Sequence, residues 1–102
     1  MRPQISKVTG AGSSNPFVLD NYISPFNVGF GVVVSGTVNY TVQHTFDNVL
    51  TNSNPTWFPH PTAQAQTVNQ DGNYAFPVFA IRITVNSGTG SATLTSIQAG
   101  VA

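Results

Sequence analysis

Residues 28–46 read V-G-F-G-V-V-V-S-G-T-V-N-Y-T-V-Q-H-T-F, and their alternation decides the fold. Val28, Phe30, Val32 and Val34 fall on one face of an extended chain, with Gly29, Gly31, Val33 and Ser35 opposite. After Ser35-Gly36 the pattern restarts. Val38, Tyr40, Val42, His44 and Phe46 share a face, and Thr37, Asn39, Thr41, Gln43 and Thr45 share the other. Successive strand side chains point to opposite faces, so a period of two marks a strand with one face buried. The Ser-Gly pair predicts a tight turn joining the two strands.

Working outward, residues 78–86 repeat the signal. Phe79, Ile81, Ile83 and Val85 face one way; Val78, Ala80, Arg82, Thr84 and Asn86 face the other. The run N-S-G-T-G at residues 86–90 predicts a turn, and residues 92–99 a last strand. Leu94 and Ile97 are out of phase there, which predicts a bulge or a strand contacted on both faces. Between these strands, residues 63–68 suit a short strand, and Asp71-Gly72 is a turn signal before Tyr74-Ala75-Phe76. The interior set is Val32, Val34, Val38, Tyr40, Val42, Phe79, Ile81, Ile83 and Val85.

No window keeps helical spacing with good helix formers. The reading is all-β, with six to eight short strands in a single-domain antiparallel β-sandwich or jelly-roll-like barrel. Residues 1–27 are punctuated by Pro3, Gly10, Gly12, Pro16 and Pro25. They read as an extended N-terminal arm with short strands around Ile5 to Val8 and Phe17 to Leu19, followed by the sandwich domain at 28–102. An ordinary first strand plus a loop of the same domain is the alternative.

Composition narrows the function. Only 6% of the 102 residues are charged, the formal net charge is zero and Cys is absent. The charges are Arg2, Lys7, Arg82, Asp20, Asp47 and Asp71. Nucleic-acid binding needs clustered cations, so no such partner is expected. The longest apolar run, residues 28–34, is far too short for a bilayer, so no membrane partner is expected either. The first ten residues, M-R-P-Q-I-S-K-V-T-G, carry no apolar core of a secretory signal. Thr, Asn, Ser and Gln supply the polar surface instead, 37 residues in all. A neutral surface favours association, so much of it is expected to lie against other subunits.

Catalytic groups are sparse. Each Asp has a sufficient structural role: Asp71 in a turn, Asp47 at a strand end, Asp20 beside Asn21. His44 and Asp47 point to opposite faces of a strand, and His60 lies in an exposed Pro59-His60-Pro61 turn. No catalytic, cofactor-binding or metal site is expected, and no enzyme. The feature with binding character is the loop W-F-P-H-P at residues 57–61. Trp is enriched at interface hot spots and also stacks on sugars; alternatively the loop folds its own rings under the sheet. The candidate interface residues are Trp57, Phe58 and His60 in this loop, with Phe17, Tyr22 and Phe26 in the arm.

Four strings occur in order: V-N-Y-T-V-Q-H-T-F-D, T-W-F-P-H-P, D-G-N-Y-A-F-P-V-F-A-I-R-I-T-V and T-L-T-S-I-Q-A-G. Over about residues 37–100 this arrangement resembles small structural proteins of tailed bacteriophages. The resemblance implies a virion protein, foremost a head decoration (cement) protein on the capsid surface, made in the host cytoplasm. Its partners would be the major capsid protein and copies of itself in a homo-oligomer, with no cofactor. A neck, tail or fibre component is the alternative, and a carbohydrate-binding module a third reading.

Overall fold

Both halves of the 28–46 stretch are strands, but they do not pair with each other. The computed structural model describes residues 4–19 and 27–98. Among these, the strands are β1 (Gln4–Thr9), β2 (Gly12–Ser13), β3 (Phe17–Val18), β4 (Val28–Ser35), β5 (Val38–Thr45), β6 (Phe58–Pro59), β7 (Gln70–Tyr74), β8 (Ala80–Gly88) and β9 (Ser91–Gln98). They form two antiparallel sheets packed as a β-sandwich. The first has the order β1-β9-β4-β7; the second has β2-β8-β5-β6, with β3 also on β8.

The two orders correspond position by position. β1 runs on into β2, β8 into β9, β4 into β5, and β6 into β7. The sandwich is therefore one sheet, four strands wide, folded over along a line that the chain crosses four times. Hydrogen bonds continue the ladder through the fold: Gly10 N donates to Gly90 O and Gly90 N to Thr37 O, both at 3.0 Å. Gly90 has to be glycine, because a Cβ there would run into the Ser35 carbonyl. Gly88, at φ +106°, is held equally close to the Thr37 carbonyl. Two side chains pin the fourth crossing. The Tyr40 hydroxyl donates to Val68 O at 2.6 Å, and Asn69 Oδ1 accepts from Val34 N at 2.9 Å.

This topology corrects several sequence expectations. Ser35-Gly36 and the 86–90 turn do join consecutive strands, but each carries the chain from one sheet to the other. Asp71-Gly72 makes no turn: both residues lie inside β7, paired with Gly31 and Phe30. A Cβ at Gly72 would meet the Phe30 and His60 rings, so packing over the strand explains this glycine. Residues 63–68 reduce to a single bridge between Gln66 and Tyr40. β9 has no bulge; its register with β4 is unbroken from Ser91 to Gln98. Its inner face carries Ala92, Leu94, Ser96 and Gln98, and Ile97 points outward, half exposed. The register shift lies instead between β5 and β8, at Asn39/Tyr40.

The expected interior residues are buried, except that Val34 and Phe79 are only partly so. The described part of residues 1–27 is built into both sheets. β1 pairs with β9 over its full length, while β2 and β3 edge β8. Val8, Phe17 and Leu19 add their side chains to the common core. Each such burial contributes on the order of 1.5–3 kcal/mol, so this segment and the strands after it share one core.

Two substitutions test this account with opposite signs. Gly90→Ala pushes a methyl group into the Ser35 carbonyl and should cost about 2 kcal/mol or more. The Ser96 hydroxyl is buried with no hydrogen-bond partner, so Ser96→Ala should stabilise by about 1 kcal/mol. Urea unfolding of the purified variants measures both.

Candidate functional site

The loop at residues 46–57 is shaped by its own short polar side chains. Asp47 accepts a hydrogen bond from Thr56 N at 2.7 Å, and Asp47 N donates to Thr45 Oγ1 at 3.1 Å. Asn48 and Asn52 each accept from the backbone two residues on, at Leu50 N and Asn54 N. Such Asx turns stiffen a loop without regular structure. The Asp47 clamp brings the chain back to β5, where it delivers Trp57 and Phe58 to different surfaces.

Trp57 lies half-buried on the outer face of the second sheet, with Arg82 Cζ 4.2 Å from its ring centroid. Arg82 is itself held in place. Its Nε donates to Gln43 Oε1 at 2.8 Å, and Thr84 Oγ1 donates to the same oxygen at 2.9 Å. The guanidinium occupies one ring face as a cation–π pair. A cleft of about 400 Å³ opens beside the ring, bordered by Pro16, Asn52, Asn54 and Arg82.

Phe58 takes the other direction, toward the end of the sandwich away from the fold line. It stacks on His44 with centroids 5.9 Å apart and planes at 26°. Phe46 and Phe76 flank the same imidazole edge-on, at 5.6 and 5.7 Å. These three phenyl rings are 56%, 45% and 46% exposed for Phe46, Phe58 and Phe76 respectively. His44 beneath them is buried, and its Nδ1 shares a 3.0 Å hydrogen bond with the Tyr74 hydroxyl. Burial, helped by nearby His60, lowers the His44 pKa from its ordinary value. Burial also raises the Tyr74 pKa, keeping the phenol neutral.

The sequence-derived candidates separate here. Trp57 and Phe58 are surface rings. His60 is not in an exposed turn: it is buried between the sheets, edge-on to Phe30 and Tyr74 at 4.9 Å each. Thr62 N donates to its Nδ1 at 3.2 Å, so the proton sits on Nε2, which donates to Asn73 O at 3.1 Å. His60 thus ties the 58–66 segment to β7 and offers nothing to a partner. Phe17 is likewise a core residue, 8% exposed. Tyr22 and Phe26 lie outside the described residues, as does Asp20. Of the other carboxylates, Asp47 is the loop clamp and Asp71 is exposed on β7. Among the described residues no three His, Cys, Asp or Glu gather as metal ligands.

Sequence reasoning missed Phe46 and Phe76. Phe46 continues the inward alternation of β5, but the strand ends at Thr45, and the ring passes beyond the core into solvent. Phe76 follows the end of β7 and precedes Pro77; that Pro was the available signal that the strand stops. No known protein family, curated protein or solved structure matches this chain.

The buried imidazole makes stability depend on pH. Its pKa is lowered in the fold, so the unfolded chain binds the proton more readily. The preference for the neutral ring is complete above pH about 6.5 and is lost as the pH falls through the lowered folded value. Thermal unfolding should therefore show Tm falling from pH 7 to 5, and His44→Gln should flatten that slope.

Proposed function

We propose that this chain is a structural protein of a tailed-bacteriophage virion, a head decoration protein that binds the assembled shell and stabilises it through protein–protein contacts. The observation that carries the reading is the aromatic patch of Phe46, Phe58 and Phe76. Three half-exposed phenyl rings lie together at one end of the molecule, Phe46 with its centroid 5.9 Å from that of Phe58 and 6.3 Å from that of Phe76. Aromatic rings at the centre of an interface supply most of its binding energy, and large exposed apolar patches mark interaction sites. The ordered motifs over residues 37–100 support the virion class. The chain acts by mass action: binding the assembled shell and not its dissociated parts stabilises the shell.

The same motifs also favour a neck, tail or fibre station, which differs in copy number. The cleft beside Trp57 favours a carbohydrate-binding module, but Arg82 already covers one face of the ring that a sugar would stack on. The favoured reading has no catalytic step and no cofactor.

Quantitative mass spectrometry of virions from the encoding phage tests the station. A copy number comparable with that of the major shell protein supports decoration. A small fraction of it moves the chain to the neck or tail, and absence from virions overturns the reading. Co-sedimentation with shells tests the patch: Phe58→Ser and Phe76→Ser should each weaken binding by roughly tenfold, about 1.4 kcal/mol. With three cations and three anions in the whole chain, attachment should withstand molar NaCl, because screening acts only on charges.

A further inference from the structure

The outer face of the first sheet is a second surface, on the side of the molecule rather than its end. Ile5 on β1, Val33 on β4 and Ile97 on β9 project from it, 66%, 62% and 50% exposed. The strand registers place these residues in rows. Ile97 stands beside Gly29, Thr95 lies between Ile5 and Gly31, and Thr93 lies between Lys7 and Val33. Asp71 of β7 completes the Ile5 row. Among the described residues, the single cation of the face lies on edge strand β1 and its single anion on the opposite edge strand β7.

We propose that this face binds the same face of a second copy of the chain, forming a two-fold dimer. A two-fold axis parallel to the strands, midway between β9 and β4, turns the sheet onto itself. It sets β9 over the second copy's β4 and β1 over the second copy's β7. Ile97 then stands over the second copy's Gly29, where the missing side chain leaves a hollow; nothing lies within 4 Å of a Cβ built there. Thr95 stands over Gly31 in the same way. Lys7 lies one row, about 7 Å along the strand, from the second copy's Asp71, within the reach of a lysine side chain. The contact is self-complementary in shape and in charge, as an isologous interface requires. Its aligned strands fall within the usual geometry of packed sheets, whose strand directions lie within about 30° of each other.

Strand spacing and length give the face about 500 Å² per copy. The pair then buries about 1,000 Å² in total, the lower limit for a specific interface. The dimer is consequently concentration-dependent. It rests on neither the aromatic patch nor the shell, so its test is separate from that of the decoration role.

Sedimentation velocity over a concentration series reads the outcome, with near-ultraviolet circular dichroism reporting the fold. The wild-type chain should pass from monomer to dimer. Gly29→Val adds apolar surface that the monomer accommodates, yet it fills the hollow, so the dimer should weaken by roughly tenfold or more. Ile97→Asn should do the same. Lys7→Asp and Asp71→Lys should each weaken the dimer, and the double exchange should restore it. A wild-type chain monomeric throughout overturns the proposal. So does a dimer that survives Gly29→Val and Ile97→Asn, or one that Phe58→Ser abolishes.

Discussion

Four crossings share one fold line, and the rest of the molecule depends on their fitting side by side. Each carries the chain from one sheet to the other at the same lateral position, so the sheet orders must agree. The crossings touch backbone to backbone, Gly90 lying between Gly10 and Thr37. Peptide groups are obligatory hydrogen-bonding groups, and here Gly10, Gly90 and Thr37 find their partners in the adjacent crossing. Because Gly88 and Gly90 leave no room for a Cβ against their neighbours, the line is set by contact and not by turn propensity alone. Once it is set, the inner faces of β4, β5, β8 and β9 meet and enclose the core.

At the opposite end of the sandwich, aromatic rings finish the core among the described residues. Packing grades outward from Phe30 and Tyr74 through His44 and His60 to Phe46, Phe58 and Phe76. The two imidazoles do different work. His60 is satisfied on both nitrogens and bridges two segments. His44 shares one hydrogen bond and supports three half-exposed rings. The patch is therefore an outward extension of the core, held rigid from below. A rigid aromatic surface loses little conformational entropy when a partner covers it.

The scarcity of charge has a structural counterpart on the outer face of the second sheet. Side chains there, all neutral except Arg82, bond to one another across strands. Ser13 donates to Thr84, Thr84 and Arg82 to Gln43, and Asn86 to Asn39 and Thr41. Cross-strand pairs of this kind each contribute roughly 0.2–1 kcal/mol, without the salt dependence of ion pairs. Thr and Asn thus hold the sheet together while keeping the surface polar.

The sequence by itself determined the class of fold, the principal strands and nearly all of their inward residues. Side-chain alternation is a local property of the backbone, and an apolar period of two needs no knowledge of partners. It also marked Trp57 and Phe58 as unusual, since large rings among prolines stand out in any loop. Which strands pair was decided only by the tertiary structure. Ser35-Gly36 serves a hairpin and a crossing between sheets equally well, and Gly72 reads as a turn until Phe30 and His60 lie across it. Exposure was decided there too. Phe46 obeys the inward alternation and passes beyond the core only because β5 ends one residue earlier. His60 between two prolines looks like surface until Asn73 and Thr62 take both its nitrogens. Contacts between residues distant in sequence settle these points, and no local pattern encodes them.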